Sequence, residues 1–371
     1  MQNRHGPDAA EYTLLSMMNP LHAAPPVSVA DLNYILENNE AMWEELRGRR
    51  IFITGGTGFF GCWLLESFIA ANNAFDLNTQ AVVLTRSARR FRERVPHLAG
   101  SPAVELLEGD VRTFAFPAGE FPFVIHAATE SVRTSFANPL ATDPSTELLS
   151  TILEGTRRCL EFAETHGTLK FLLTSSGAVY GRQPSDMTHI PETYRGAPDL
   201  HNSSSVYGEG KRIAEMLCSL AASRTQMECK IARCFAFVGP HLPLNAHFAI
   251  GNFIRDAMRG GPIVIQGDGT AMRSYMYAAD LALWLWTMLF RADSSRAFNV
   301  GTERDFSIRE VAETVASTLG PDIEIRVEHT HGTGAPVQRY VPSVQAAKQS
   351  LNLTDGISLV DAIRRTAAWY R

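Results

Sequence analysis

Short apolar runs alternate with segments of helical periodicity through the first half of the chain. The runs predict buried strands, and apolar residues that recur every three or four positions predict helices between them. The predicted strands cover 50–54, 80–85, 104–107, 123–128 and 169–174, and the predicted helices cover 62–69 and 147–165. This alternation predicts a parallel sheet with helices on both faces and right-handed connections. A ligand is then expected at the carboxyl ends of the strands.

Glycines recur at every third position directly after the first strand. The first of them permits a tight turn, the second lets the backbone approach a pyrophosphate, and the third lets the next helix pack closely. The N–H groups at the helix start would then face phosphates. An ordinary glycine turn is the alternative, but its place between strand and helix favours a dinucleotide-binding, doubly wound sheet of the Rossmann type. The turn residues expected to bind the cofactor are Gly55, Thr57, Gly58, Phe59, Phe60 and Gly61.

The end of the second predicted strand has no acidic residue. A protein that binds NAD usually has a carboxylate there for the ribose 2′-hydroxyl, whereas this chain has Thr85 followed by Arg86. Because an arginine can pair with a 2′-phosphate, the position favours NADP over NAD. A solvated basic face at the start of a helix is the alternative.

The third and fourth strands end in residues that suit the same cofactor. Asp110, followed by Val111, could bind the adenine edge or cap the next turn. Ala127 and Ala128 would leave room for the cofactor. His126 is predicted to be a strand-end histidine with satisfied hydrogen bonds.

A serine and a tyrosine–lysine pair supply the candidate chemistry. Ser176 ends the fifth strand, while Tyr207 and Lys211 are four residues apart and share one face of a helix over 206–223. A nearby ammonium lowers the pKa of a phenol, so Tyr207 could exchange a proton with a substrate hydroxyl while hydride moves to or from nicotinamide. Ser176 could hold that hydroxyl oxygen. Each residue alone has an ordinary structural alternative, but together, after the glycine turn, they indicate this chemistry strongly.

Charge and composition argue against several other classes of protein. The 371 residues have a net charge of -5, so nucleic acid is not an expected partner. No apolar run is long enough to span a bilayer, and the start of the chain makes a poor signal peptide. Residues 1–47 are predicted to be an extension that ends in a helix over 31–46, capped by Asp31. The five cysteines have no metal-site spacing and are predicted to be buried free thiols of a cytoplasmic protein without a metal.

The turn from Thr54 to Gly61, Ser176 and the Tyr207/Lys211 pair resemble the extended short-chain dehydrogenase/reductase superfamily. Within it, residues 48–371 are similar to nucleotide-sugar epimerases, dehydratases, decarboxylases and reductases. The resemblance implies a dinucleotide-binding domain over 48–235, interleaved with later segments, and a smaller C-terminal α/β lobe over 236–371 for a nucleotide-activated sugar. It implies Tyr207 as the base, Lys211 on the nicotinamide ribose and Ser176 on the reacting hydroxyl.

The same resemblance implies substrate contacts and an assembly. Gly177 would lie beside the sugar, and Asn252 and Arg273 would contact the diphosphate, for which a guanidinium fork is well suited. Helices 147–165 and 206–223 are the pair that forms a dimer interface in this superfamily. We therefore expect a homodimer.

Several positions depart from the pattern of the relatives. Segments 207–215 and 245–280 resemble UDP-glucuronate decarboxylases, but decarboxylases and 4,6-dehydratases have an acid where this chain has Ala178, and dehydratases have another at Gly177. Elimination needs an acid and a base, so it would require an acid from elsewhere, such as Glu192 or Glu130. Three further positions lack residues common in relatives: Ile152 (asparagine), Ala236 (asparagine) and His241 (arginine).

The serine-glycine-alanine pattern at 176–178 is nearer to 4-epimerases and 4-ketoreductases. The leading hypothesis is an NAD(P)-dependent enzyme that transfers hydride at the sugar C4 in an epimerase-type internal redox cycle. One alternative is an NADPH-dependent 4-keto-sugar-nucleotide reductase. Another is a decarboxylase or dehydratase with an atypical acid. A dinucleotide-sensing scaffold without catalysis is the alternative outside the enzymes.

Overall fold

A parallel sheet flanked by helices forms the centre of the protein. The computed structural model describes residues 23–38, 40–129, 144–246, 248–329 and 337–371. Within these residues, seven strands lie in the order β11-β6-β5-β4-β1-β2-β3, and each neighbouring pair is parallel. They are β1 (Arg50–Thr54), β2 (Gln80–Thr85), β3 (Val104–Glu108), β4 (Phe123–His126), β5 (Lys170–Ser176), β6 (Glu228–Cys234) and β11 (Ala297–Val300). The strand order reverses between β1 and β4, so a ligand cleft is expected there. The predicted fold class is confirmed.

Helices cover both faces of this sheet, and alternate residues of a strand face opposite cores. Ile51 and Ile53 of β1 belong to one apolar cluster and Phe52 belongs to the other. Strands β1, β2 and β4 are therefore apolar over most of their length, as expected for strands buried on both sides of a sheet. The helices are α1 (Val29–Glu37), α2 (Glu40–Trp43), α3 (Phe59–Ala74), α4 (Ala88–Arg94), α5 (Pro96–Ala99), α6 (Pro144–Thr165), α7 (Val206–Arg224), α8 (Ala249–Met258), α9 (Ala278–Arg291), α10 (Ile308–Leu319), α11 (Gln345–Leu351) and α12 (Leu359–Tyr370).

Short strands in the C-terminal third form three small sheets. They are β7 (Phe237–Val238) with β10 (Met276–Tyr277), β8 (Ile263–Ile265) with β13 (Ile325–Val327), and β9 (Met272–Ser274) between β12 (Asp305–Ser307) and β14 (Arg339–Tyr340). Ser307 caps α10 in a capping box with Glu310, because each side chain accepts the other residue's backbone N–H. The boundary at residue 235 stays a prediction.

The helix expected over 31–46 differs from the structure. It begins after Ser28, whose hydroxyl caps α1, and Asp31 instead lies in the first turn, fully buried. Its carboxylate accepts the Tyr277 hydroxyl at 2.8 Å and pairs with Arg365. The prediction of Asp31 as cap was wrong because sequence spacing cannot show that this carboxylate has buried partners. Helix α1 also ends early, where the Asn38 side chain donates to the Tyr34 carbonyl.

The five cysteines are free and buried, as predicted. In the described part of the chain, no helix is both long and apolar enough to cross a membrane. The same residues contain no group of three or more His, Cys, Asp or Glu side chains arranged to hold a metal ion.

Candidate active site

The glycine turn between β1 and α3 is closed by contacts that exclude larger residues. Gly55 has φ +71°, and a Cβ there would lie 2.5 Å from the Ala127 carbonyl. A Cβ on Gly61 would lie 2.3 Å from the Gly56 Cα, so this glycine lets α3 pack against the turn. A Cβ on Gly58 would instead meet only the Gly55 carbonyl, at 3.3 Å. The turn is thus tight at its ends and open at Gly58, where α3 begins.

The start of α3 presents backbone N–H groups to this open side. Gly58 caps the helix without a side-chain hydrogen bond, and the first N–H groups of a helix have no partner within it. These are the groups of Phe59, Phe60 and Gly61, and Thr57 precedes them in the turn. Such a helix start favours phosphate.

His126 supports the turn from β4. Its Nδ1 lies 2.7 Å from the Thr54 hydroxyl and its Nε2 lies 3.1 Å from the Thr156 hydroxyl. Complete burial lowers the pKa of His126 to about 3, so the ring is neutral. The prediction of a satisfied strand-end histidine is confirmed. Ala128 follows and donates its N–H to the Thr54 hydroxyl at 3.2 Å.

The ends of β2 and β3 bring charged residues near one another, since the charge of Arg86 acts on the Asp110 carboxylate. Arg86 is exposed after the buried Thr85. The Asp110 carboxylate accepts the Arg112 backbone N–H at 2.8 Å and pairs with the Arg112 guanidinium, which holds the pKa of Asp110 below its usual value. These contacts are those of a turn cap. The adenine contact proposed for Asp110 stays a prediction, and Val111 beside it is buried.

The structure brings Ser176, Tyr207 and Lys211 together at the carboxyl end of β5. The Ser176 side chain lies near the Tyr207 phenol and favours its anion, and the Ser176 hydroxyl accepts the Ala178 N–H at 3.2 Å. The Lys211 Nζ lies 5.9 Å from the centre of the Tyr207 ring. It donates to the Thr174 carbonyl at 2.8 Å and to the hydroxyl of Thr129 at 2.6 Å.

The electrostatics of this pair differ from the prediction. Burial raises the pKa of Tyr207 to about 12, and the Ser176 side chain offsets only part of that rise. Burial also lowers the pKa of Lys211 to about 8. The predicted lowering of the phenol pKa was wrong for this structure, because the desolvation of the phenol outweighs the stabilisation of its anion.

Tyr340 is a site residue that the sequence did not indicate. It lies in β14, and its hydroxyl lies near Ser176, Tyr207 and Arg273. Its ring centre lies 4.7 Å from that of Phe235. No periodic run marks a strand of two residues, so pattern analysis could not place Tyr340 beside the serine.

Phe235 also closes the space beside Gly177. A Cβ on Gly177 would lie 2.6 Å from the Phe235 ring, so this position cannot hold a carboxylate unless the ring moves. Ala178 follows in a 3₁₀ turn and is half-buried. Glu192, the acid considered as a replacement, accepts the Asn299 N–H at 2.8 Å. Glu130 lies outside the described residues.

A cleft of about 620 Å³ lies in the C-terminal part of the protein, lined by residues between Ala249 and Ile308. Asn252 of α8 lines it, and its side-chain oxygen accepts Arg255 at 3.0 Å. Ala271 lines the same cleft just before Arg273, whose guanidinium donates to the Met272 carbonyl at 2.8 Å. Of the two residues predicted to contact a diphosphate, Asn252 lines the cleft and Arg273 follows its wall residue Ala271 by two positions.

The remaining departures from the relatives have structural roles. Ile152 packs against Gly210 of α7, where a Cβ would lie 3.1 Å away. His241 lies 3.4 Å from the buried Glu66 carboxylate. Ala236 accepts a backbone hydrogen bond at 3.0 Å from Met276.

Comparisons with known proteins agree with this geometry. Residues 51–301 match the model of the NAD dependent epimerase/dehydratase family. UDP-glucuronic acid decarboxylase 1 of Arabidopsis thaliana is 30% identical over 325 residues, 87% of this chain and 70% of that protein. UDP-glucuronic acid decarboxylase 6 of the same plant is 30% identical over 317 residues, 85% of this chain and 86% of that protein.

Solved structures share the fold at lower identity. A UDP-glucose 4-epimerase from Thermotoga maritima, solved with UDP-glucose, has a TM-score of 0.71 and 20% identity, over 87% of this chain and 98% of that one. DesIV, a dTDP-glucose 4,6-dehydratase from Streptomyces venezuelae, was solved with NAD and TYD bound. It has a TM-score of 0.72 and 22% identity, over 87% of this chain and 97% of that one. With its glycine turn and its Ser176–Tyr207–Lys211 group at one edge of the sheet, the chain belongs to the NAD-dependent nucleotide-sugar epimerase/dehydratase family of extended short-chain dehydrogenases/reductases.

Proposed function

We propose that this protein interconverts a nucleotide-activated sugar and its C4 epimer through a 4-keto intermediate, with Tyr207 as the base. The observation that carries the proposal is the meeting of Ser176, Tyr207 and Lys211 beside the glycine turn, at a site where positions 177 and 178 have no acid. Hydride transfer at C4 needs a base and a hydrogen bond to the hydroxyl, which these residues can supply. Elimination needs an additional acid.

Each residue has a distinct task in this mechanism. The Ser176 hydroxyl, near the phenol, would orient the sugar hydroxyl toward Tyr207. Tyr207 would take the hydroxyl proton and return it after the second hydride transfer. Lys211, held by Thr174 and Thr129, would stabilise the phenolate. The nicotinamide, when bound, accepts and returns the hydride.

The known relatives at 30% identity are named as decarboxylases, so their activity is the main competing proposal. One feature of this chain argues against it, because Ala178, at the position of the acid in decarboxylases, has no ionisable group. The position of the second acid of dehydratases is also closed, since Phe235 fills the space beside Gly177. Glu192 is engaged with the Asn299 backbone in the lobe. A decarboxylase or dehydratase would have to take its acid from another segment.

The 620 Å³ cleft is the proposed nucleotide site. Strand β8 forms part of its wall. Among the described residues β8 pairs only with β13, and Ile263 and Ile265 make their backbone hydrogen bonds to that strand. In a strand the intervening residue points its N–H and C=O the other way. The amide of Val264 therefore faces away from β13 and could pair with a base that has both a donor and an acceptor, as uracil and thymine do. Arg273 would bind the diphosphate.

Arg86 supports NADP as the cofactor. It is exposed at the end of β2, where an acid would otherwise bind a ribose 2′-hydroxyl. Arg94, at the end of α4, donates to the Thr57 carbonyl and adds a second cation beside the turn. Opposing this, the family is NAD-dependent, so NAD remains the competing cofactor.

We also propose a homodimer formed through α6 and α7. These helices pack together, and α7 exposes Ile213, Met216 and Leu220, at 43%, 61% and 49%, on neighbouring turns of its outer side. A second copy would cover this apolar row.

The five free thiols fit a reducing compartment, so we expect the enzyme in the cytoplasm.

The first experiment is to denature the purified protein and identify released dinucleotide by mass spectrometry. Tightly held NAD or NADP in oxidised form is expected for internal redox. An empty protein that binds NADPH reversibly would favour the ketoreductase, and the absence of any dinucleotide affinity would overturn the proposal.

The second experiment offers UDP- and dTDP-hexoses and UDP-glucuronate to the wild type and to Tyr207→Phe. We expect epimerised hexose from the wild type only, with dinucleotide binding unchanged in the variant. Tyr194→Phe is the matched control and should be fully active. Release of CO₂ from UDP-glucuronate would instead establish a decarboxylase, and equal turnover by Tyr207→Phe would refute the assigned base.

A further inference from the structure

A buried ion pair lies directly behind the catalytic residues. Glu215 is on α7, one helical turn after Lys211, and Arg233 is on β6 next to Cys234. The Arg233 guanidinium binds both carboxylate oxygens of Glu215, with Nη2 at 2.7 Å and Nε at 3.0 and 3.2 Å. The Ser175 hydroxyl donates to the same carboxylate at 2.5 Å. The pair therefore joins α7, β5 and β6 immediately below Ser176 and Lys211.

The pair continues into the C-terminal lobe. Arg233 donates to the Tyr180 hydroxyl at 2.9 Å, and that hydroxyl donates to the Asn299 side chain at 2.8 Å. Asn299 in turn donates at 2.9 Å to the Ser343 carbonyl, three residues after Tyr340. A continuous run of hydrogen bonds thus leads from the catalytic helix to the segment that places Tyr340 near Ser176.

We propose that Glu215 and Arg233 are positioning residues that set the charge around Lys211 and Tyr207 and fix α7 relative to the Tyr340 segment. This proposal rests on the catalytic role of Tyr207 proposed above. The bidentate pair is neutral as a unit, so it supports the helix without adding net charge to the site. Removal of either partner would leave one unbalanced charge, buried beside Lys211.

Other charged or titratable groups lie around Lys211, Tyr207 and Glu215, and they stay unchanged in the Glu215 and Arg233 variants described next. Around Lys211 they are His126, Tyr207, Cys218 and Cys234; around Tyr207, Cys234 and Tyr340; around Glu215, Tyr180 and Cys218. None of them forms the bidentate contact made by Arg233.

The test compares Glu215→Gln, Arg233→Gln and the double variant at low salt. Glu215→Gln leaves a cation and should shift the Tyr207 titration to lower pH, whereas Arg233→Gln leaves an anion and should shift it to higher pH. With Tyr207 two turns from Glu215, about 12 Å, Coulomb's law at an effective dielectric constant near 20 gives a shift of about one pH unit each way. The double variant should titrate like the wild type.

The titration is measured without turnover, over the alkaline range in which circular dichroism shows a folded protein, as the ultraviolet difference between each protein and the same protein carrying Tyr207→Phe. A shift to higher pH then appears as a smaller Tyr207 signal within that range. If the pair were purely structural, both single variants would be less stable, but their Tyr207 titrations would not shift in opposite directions. Shifts of the same sign, or none in folded variants, would overturn the proposal. If one single variant does not fold, the direction of the Tyr207 shift is still measured in the other single variant, and the double variant is still compared with the wild type.

The link to the lobe has its own variant. Tyr180→Phe removes the hydroxyl between Arg233 and Asn299 and leaves the ion pair intact. We expect the titration of Tyr207 to be unchanged and kcat to fall about tenfold, with Tyr194→Phe unchanged as the control. Unaltered kcat in Tyr180→Phe would refute the link. Absence of activity in the wild type would refute the proposed function instead, while the titration test would still stand.

Discussion

Two alanine substitutions in the glycine turn separate packing from phosphate binding. In Gly61→Ala the new methyl group would lie 2.3 to 2.4 Å from Gly56 Cα and C and from the Gly55 carbonyl oxygen. All three are backbone atoms and cannot turn away, so α3 must move by about 1 Å to reach ordinary contact. In Gly58→Ala the methyl group would meet only the Gly55 carbonyl, at 3.3 Å, in a backbone conformation that alanine adopts readily.

The expected costs follow from these distances. Overpacking of this kind costs about 3 kcal/mol, which for a protein of this length lowers the Tm by about 4 °C. Gly58→Ala should leave the Tm within about 1 °C. A methyl group facing the pyrophosphate should nevertheless weaken dinucleotide binding at least about tenfold, which corresponds to about 1.4 kcal/mol.

Calorimetry measures the Tm of both variants, and isothermal titration or fluorescence measures their dinucleotide Kd. The reasoning predicts a crossed result, with Gly61→Ala unstable and Gly58→Ala stable but weak in binding. Wild-type stability of Gly61→Ala would show that the packing assigned to this glycine is wrong. Wild-type affinity of Gly58→Ala would show that the pyrophosphate does not lie over this turn.

Three further predictions concern single groups. Tyr340→Phe removes the hydroxyl that lies near Ser176 and should lower kcat about tenfold without change in dinucleotide Kd; steady-state kinetics would contradict it if kcat were unaltered. His126 stays neutral when folded but takes up a proton when unfolded below about pH 6.5, so the free energy of unfolding should fall by about 1.4 kcal/mol per pH unit from there toward pH 3. Urea unfolding at pH 7 and 5 should show a flatter dependence in His126→Asn, and an equal slope would refute the assignment. Met216→Glu should produce monomers by light scattering, and a wild-type monomer would exclude the α7 interface.

The sheet and the glycine turn could be predicted from the sequence because each leaves a pattern in a short stretch of neighbouring residues. The apolar runs of β1, β2 and β4 follow from burial on both faces, and the place of Gly61 follows from its contacts with the backbone of Gly55 and Gly56. Tyr207 and Lys211 could be paired because helix periodicity alone places residues four apart on one face.

What could not be predicted depends on contacts between distant segments. Tyr340 reaches Ser176 only through the fold of the C-terminal lobe, and the acid at Asp31 is paired with a residue at the other end of the chain. The direction of the Tyr207 pKa was missed for a related reason. Spacing shows that an ammonium is near, but it does not show how far the phenol is removed from water.

The contact between Gly177 and Phe235 bears most directly on the choice of reaction. If Phe235 fills the space that an acid would occupy, Gly177→Ala should be destabilising or inactive, because its methyl group would lie 2.6 to 2.8 Å from the ring. Phe235→Leu should create space, at a cost of about 1 to 3 kcal/mol for the lost aromatic packing.

The double variant Gly177→Ala/Phe235→Leu should then be more stable than the sum of the single changes predicts, by about 1 kcal/mol or more. Chemical denaturation of the four proteins measures this coupling. Additive effects would mean that the ring moves aside freely and that an acid at 177 is tolerated. In that case the lack of an acid at 177 would reflect the sequence alone, and a dehydratase reaction would have to be weighed again. A positive coupling would mean that the fold itself closes this position to the second acid of a dehydratase. Ala178 then remains the feature that separates C4 epimerisation from decarboxylation.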